Sequence, residues 1–345
     1  MSDVFLDGKS LVTPQLIVKS LLEKKTQFDS HQFEEALISV SRTLGHANIQ
    51  FEKGYEPSLI IDKLAGELHI LRKRLNGNVW QSVIPIVQEH PVARFFLQDP
   101  FTKWSFTKPR GYSGDAGLLD FIYGHANVGD HIENATPIGT KLYDYTKDAS
   151  SSVAVRERRD LLTRHVDDIS AAKGTETEIL TIAAGHLREA NRSTALREGR
   201  ISRWVALDQD PLSVESIRRD FKGTSIQAVK GSVRGLLANS YKLGQFDFVY
   251  AAGLYDYLSH KVAVRLTQSC LKMLKPNGVF LFANFADNIG VDGYMETFMN
   301  WALLLRSEAD MNDIINDSIG GDAVSSTVFF GENRNIVYGI IQKTE

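Results

Sequence analysis

Two groups of residues in this chain have types and spacing suited to chemistry. The first begins with a turn of small residues, Ala183-Ala184-Gly185, set directly after an apolar run, Ile179-Leu180-Thr181-Ile182. A second short apolar run, Trp204-Val205-Ala206-Leu207, ends in Asp208, with Gln209 behind it. A small-residue turn lets a ligand approach the backbone at a helix start, and an acid about 20 residues on accepts hydrogen bonds from ribose hydroxyls. A dinucleotide fingerprint repeats its glycines to bring backbone against a pyrophosphate. Only Gly185 is present here, which fits a nucleoside ligand without phosphate better. The plain alternative is that Gly185 merely ends a buried strand of an ordinary α/β domain.

The second group lies in Lys108-Pro109-Arg110-Gly111-Tyr112, where proline and glycine dictate a constrained loop. Arg110 could hold a carboxylate with two parallel N–H bonds, with Tyr112 beside it. It could equally pair with Asp115 to brace the loop, and Asp115 could cap the helix that follows. His186, beside the first turn, reads either as a pocket residue or as a structural one.

The elements that must carry these groups alternate. Apolar runs at 179–182, 204–207, 226–229, 246–250 and 279–285 read as strands, and Pro211–Phe221 and Lys261–Leu274 as helices. A helix is expected directly after Gly185. The stretch from Val328 to Ile341 reads as an antiparallel hairpin. Such alternation argues a doubly wound, Rossmann-like α/β sheet. Residues 14–98 carry helical stripes instead, first Leu16, Ile17, Leu21 and Leu22, then Phe33, Ala36, Leu37, Val40 and Leu44. The expected organisation is an α-helical N-terminal cap or substrate domain over 1–135 and a nucleoside-binding domain over 136–345.

Composition sets outer limits. The 345 residues are 43% hydrophobic and 23% charged, with net charge −3 and no long basic block, so a nucleic-acid partner is not expected. One cysteine, Cys270, allows neither an internal disulfide nor a cysteine-based zinc site, and no metal is called for. The N-terminus lacks the pattern of a secretory signal, and no apolar run reaches membrane-spanning length. The expectation is a cytoplasmic protein with a small-molecule partner and no integral membrane contact, its oligomeric state open, a homodimer included.

The order ILTIAAGHL, ALDQD, KGSVRGLL, FDFVYAAGLYDYL and LKPNGVFLFANF, closed by the hairpin, resembles class I S-adenosylmethionine-dependent methyltransferases over about residues 150 to 345. Together with KPRGYSGD and VRERRDLL, the order also resembles a narrower bacterial family associated with extracellular-factor biosynthesis, meaning 3-hydroxy fatty acid methyl esters. The chain departs from the class in its first motif: Thr181 stands where an acid is common, and Ala183 and Leu187 where glycines are common. The resemblance implies S-adenosyl-L-methionine as cofactor. It implies Ala183, Gly185 and His186 against the methionine part and Asp208 on the ribose. Gln209, Ser232 and Val233 fall at the adenine, and Ala252 and Gly253 beneath the sulfonium.

The reaction is then methyl transfer to a small molecule, expected at oxygen and giving a methyl ester if the acceptor is a carboxylate. A carboxylate is ionised at neutral pH and needs no general base. Arg110, Tyr112, Tyr255, Asp256 and Asn284 are the candidates on the acceptor side. Tyr255 could instead pack internally and Asp256 cap the next helix. A small-molecule N-methyltransferase using Asp256 as base, and a binding module with a degenerate cofactor site, are the alternatives.

Overall fold

The computed structural model describes residues 29–174, 176–320 and 324–344. The Leu16, Ile17, Leu21 and Leu22 stripe lies outside them. The described residues fall into two compact units, one within Ala154–Asn288 and Leu304–Glu345, the other within Thr13–Val153 and Ile289–Leu303. The sequence reading divided the chain after 135; the units part at Val153, inside the helix Ser150–Lys173.

The first unit is built on a seven-stranded sheet of β1 (Thr177–Ile182), β2 (Ile201–Asp208), β3 (Ile226–Lys230), β4 (Phe246–Ala251), β5 (Leu274–Phe285), β6 (Val324–Phe330) and β7 (Ile336–Lys343). Their order is β3-β2-β1-β4-β5-β7-β6. β1 to β5 run parallel, and β7 is antiparallel to both β5 and β6. This is the doubly wound sheet with a terminal antiparallel hairpin expected from the sequence. Strands covered on both faces read as unbroken apolar runs, which is why β1, β4 and β5 are legible. Leu180, Ile182, Val205, Val249, Phe280 and Phe282 point to one face, where Leu266, Cys270, Leu271, Met311 and Ile314 from two helices close the core. Thr181, Trp204 and Tyr250 alternate to the other face.

The chain crosses from β3 at one edge back to β4 beside β1, so strand order reverses between β1 and β4. In open α/β sheets the crevice at the carboxyl ends of the strands flanking such a reversal is where ligands bind. Pro276-Asn277-Gly278, read as a turn before the fifth strand, falls inside β5, where the pairing with β4 shifts register between Phe246 and Phe248. A side chain at 278 would put its Cβ 3.0 Å from the Phe246 carbonyl oxygen, so only glycine passes there.

The second unit is helical, and its chain breaks sit at polar caps. Asp29, Asn76, Asp99, Asp115 and Thr136 each accept a backbone N–H at a helix start. Ala36, Val40, Leu44, Ala47 and Phe51 form the buried stripe of the helix Ser30–Glu52. Ile289–Leu303 belongs to this unit although it lies far along the chain. The Trp80 indole Nε1 donates to Glu296 at 2.6 Å and Arg72 Nε donates to the same carboxylate at 2.7 Å. His69 Nδ1 lies 2.7 Å from Asp292 Oδ1.

Candidate functional site

The turn after β1 is built from left-handed backbone. Ala183, Gly185 and Leu187 have φ of 56°, 55° and 53°, a region that only glycine occupies without steric cost. Alternating left-handed residues cannot start an α-helix, so the expected helix is absent. The chain instead turns through Ala190–Arg192 as a 3₁₀ segment and forms only the short helix Thr194–Arg197. Asp167 holds that segment, accepting from the Ser193 hydroxyl at 2.6 Å and from the N–H groups of Thr194 and Ala195 at 3.0 and 2.9 Å.

The turn is tied to β2. The Ala184 N–H donates to the Leu207 carbonyl at 3.1 Å. The Gly185 N–H donates to Asp208 Oδ2 at 2.7 Å, and the Asp210 N–H donates to Asp208 Oδ1 at 2.8 Å. Asp208 is therefore a buried carboxylate fixed between two backbone donors at the end of its strand. Its own carbonyl accepts the Gly231 N–H at 2.9 Å, which brings the end of β3 to the same place. Next to Gly231, Ser232 caps the helix Val233–Leu237 and donates its N–H to the Tyr241 hydroxyl at 3.0 Å, while Val233 is buried. Gln209, Ala252 and Gly253 are partly exposed. His186 is buried, its Nδ1 3.2 Å from Arg188 Nη2, and Arg188 reaches Asp220 at 3.5 Å.

The candidates after β4 and β5 lie deeper. Tyr255 is wholly buried, shares a 2.8 Å hydrogen bond with the Thr267 hydroxyl, and burial pushes its phenol far above the ordinary range. Asn284 is also wholly buried; its amide donates to the Phe285 and Leu304 carbonyls at 2.9 and 2.7 Å, and its oxygen accepts from Arg306. Arg306 further donates to the Tyr255 and Leu258 carbonyls. Asp256 Oδ1 accepts the Phe285 N–H at 2.6 Å, and burial pushes its carboxyl up to about 6, against the opposing fields of Arg158 and Arg306. These residues fasten the β4 and β5 ends to one another, and none of them caps the helix His260–Lys272.

Arg110 and Tyr112 lie in the helical unit. Arg110 Nε is 3.7 Å from Asp115 Oδ1, so the loop brace is present, and Asp115 also caps Ala116–Tyr123 and accepts from the Trp104 indole. Lys108 stands at φ 48°, and burial pulls its ammonium down to about 8.

Sequence reasoning passed over Arg158, Glu189 and Arg306. Arg158 stood within VRERRDLL, a run quoted for its resemblance and given no role. Its spacing held the signal: Val155, Arg158, Leu162 and Val166 share a helical face, and all four are buried. Glu189 is buried too, accepts the Tyr250 hydroxyl at 2.6 Å, and is pushed upward by burial. Tyr250 is the β4 partner of Thr181, which accepts the Trp204 indole N–H at 2.8 Å. A carboxylate therefore reaches the Thr181 side of the sheet from the loop instead of from the strand.

No protein-family model matches the sequence. No curated protein matches it. Among solved structures, the chain is similar to a possible exported protein from Bordetella parapertussis. The identity is 14% and the TM-score 0.54, over 89% of this chain and 97% of that one. It is similar, more distantly, to the N-methyltransferase NodS from Bradyrhizobium japonicum WM9 in complex with S-adenosyl-L-homocysteine, at 17% identity and TM-score 0.41 over 57% of this chain and 90% of that one. An O-methyltransferase family protein from Burkholderia thailandensis is similar at 16% identity and TM-score 0.43, over 60% of each chain. The likeness to the Bordetella protein extends to the fold, and no further, across nearly the whole of that chain.

Proposed function

We propose that this chain transfers a methyl group from S-adenosyl-L-methionine to an oxygen of a small-molecule acceptor, with a carboxylate as the favoured nucleophile. The observation that carries the reading is the Asp208 carboxylate, fixed by Gly185 and Asp210 beside a left-handed turn where the strand order reverses. An acid so fixed suits vicinal ribose hydroxyls, and a turn with a single glycine suits a ligand without pyrophosphate. The resemblance in motif order supports the same reading.

In this reading Asp208 holds the ribose, and Gln209, Ser232 and Val233 border the adenine. Ala183, Gly185, His186, Ala252 and Gly253 border the methionine end. When bound, the sulfonium supplies an already activated methyl group, so the protein's work is alignment and exclusion of water. Tyr255 and Asn284, wholly buried and engaged internally, shape the β4 and β5 ends and do not move protons. Asp256 belongs with them through its bond to Phe285. A carboxylate acceptor removes the need for a base. We assign acceptor recognition to the loop Lys108–Tyr112, through Arg110 and Tyr112.

The test is a calorimetric titration of the pure protein with S-adenosylhomocysteine, with NAD as control. Binding of the first and not the second is expected. No binding of S-adenosylhomocysteine refutes the reading, and binding of NAD alone replaces it with a dinucleotide site.

A further inference from the structure

Resting on that cofactor reading, we propose that Arg158 makes the site select ligands with a carboxylate at the amino-acid end, acting as its direct anion contact. Arg158 lies on the helix Ser150–Lys173 and is only 5% exposed. Its Nη1 is buried without a hydrogen-bond partner among the described residues. A cationic donor left unmet in a protein interior is costly, and such a group in a native structure calls for an explanation. Its Nη2 lies 3.7 Å from the point where a Cβ on Gly253 would stand, so the guanidinium sits against the backbone just past β4.

The turn itself offers little to a carboxylate. Of its N–H groups, Ala184 is bound to the Leu207 carbonyl, Gly185 to Asp208, and Leu187 to the Ala184 carbonyl. The side chains of Ala183 and Leu187 also stand where a glycine turn would leave bare backbone. With those three N–H groups engaged, a cationic side chain beside the turn is the stronger anion contact. Glu189 and Asp256 are the acids in the field of Arg158, and neither accepts a hydrogen bond from its Nη1. A ligand carboxylate would supply Nη1 with the acceptor it lacks.

The experiment compares three ligands by calorimetry. They are S-adenosylhomocysteine, its decarboxylated analogue 5′-deoxy-5′-(3-aminopropylthio)adenosine, and 5′-methylthioadenosine, which lacks the whole amino-acid end. The wild-type chain should prefer the first over the second by about tenfold to a hundredfold, the size of one charge-assisted hydrogen bond. Arg158→Gln should abolish that preference and leave the 5′-methylthioadenosine affinity unchanged. Arg158→Lys, which keeps the charge but not the fork, should lose part of the preference and serves if the glutamine variant fails to fold. The proposal is overturned by a wild type without the preference, by either variant keeping it in full, or by equal losses for all three ligands. If none of the three binds the wild type, the cofactor reading falls too.

Discussion

Asp208→Asn separates the two duties assigned to that carboxylate. In the wild type, two backbone N–H groups donate to it at 2.7 and 2.8 Å, and only 6% of the residue is exposed. Asparagine has the same shape but only one oxygen, so one N–H then faces an NH₂ group and loses its acceptor. Losing a charge-assisted bond and stranding a buried donor costs about 1.5–3 kcal/mol. For a domain of this size class, each kcal/mol lowers the thermal midpoint by roughly 2–4 °C, so a fall of about 3–12 °C is expected. The ribose loses a charged acceptor as well, which should weaken S-adenosylhomocysteine by about 10- to 150-fold. The assay is thermal unfolding by circular dichroism paired with calorimetric titration. A lower midpoint with affinity held within about threefold would reduce Asp208 to a brace for the turn and refute the ribose contact. An unchanged midpoint would refute the bracing role.

Three further outcomes are expected. Asp256 is pushed from 3.8 up to about 6 by burial. Between about pH 4 and pH 6 the native state holds a proton that the unfolded chain has released, so this group's contribution to stability falls as pH rises through that window. Asp256→Asn should therefore gain in urea midpoint relative to wild type from pH 4.5 to pH 7, and a pH-independent difference would refute the shift. Gly293→Ala places a Cβ 2.5 Å from the Leu68 carbonyl carbon, where backbone cannot yield, and should destabilise the helical unit by about 1–3 kcal/mol in chemical unfolding. Ala183→Gly relieves a left-handed alanine at φ 56° but loosens the unfolded chain, for a net gain of about 0.5–1 kcal/mol in the same assay.

The sheet was legible because parallel strands buried on both faces must be apolar throughout, and a hairpin turn such as Gly331-Glu332-Asn333-Arg334-Asn335 announces the final pair. The helix expected after Gly185 was misread for a physical reason. Its composition permits helix, but three residues at positive φ override propensity, and nothing in alanine or leucine signals that conformation. The depth of Asn284 was hidden, since it stands at the end of β5, where exposure is the common expectation. Internal packing of Tyr255, in the 3₁₀ turn after β4, was one of the two readings the sequence allowed. Arg306, from a stretch without strong periodicity, fills the space beneath them and bonds to both residues. Arg158 was recoverable, since a charged residue in phase with Val155, Leu162 and Val166 must be buried when they are. Its charge set it apart from the apolar residues of that face, and this concealed it.

The turn after β1 shows how a glycine-poor sequence holds a conformation that glycines usually supply. Two of its left-handed residues, Ala183 and Leu187, carry side chains, and each such position costs on the order of 1 kcal/mol. Strain of this kind persists only where the surroundings over-determine it. Here they do. Leu187 is 1% exposed, so its burial opposes any relaxation that would bring it to solvent, by roughly 1.5–3 kcal/mol. The Asp208 carboxylate and the Leu207 carbonyl fix Gly185 and Ala184 from β2. Glu189, held by Tyr250 of β4, anchors the far end of the loop. Anchors on strands either side of β1 mean that the turn cannot relax without breaking contacts to both. A ligand meeting it would find the backbone already in its bound shape, and the ordering cost of binding would have been met during folding.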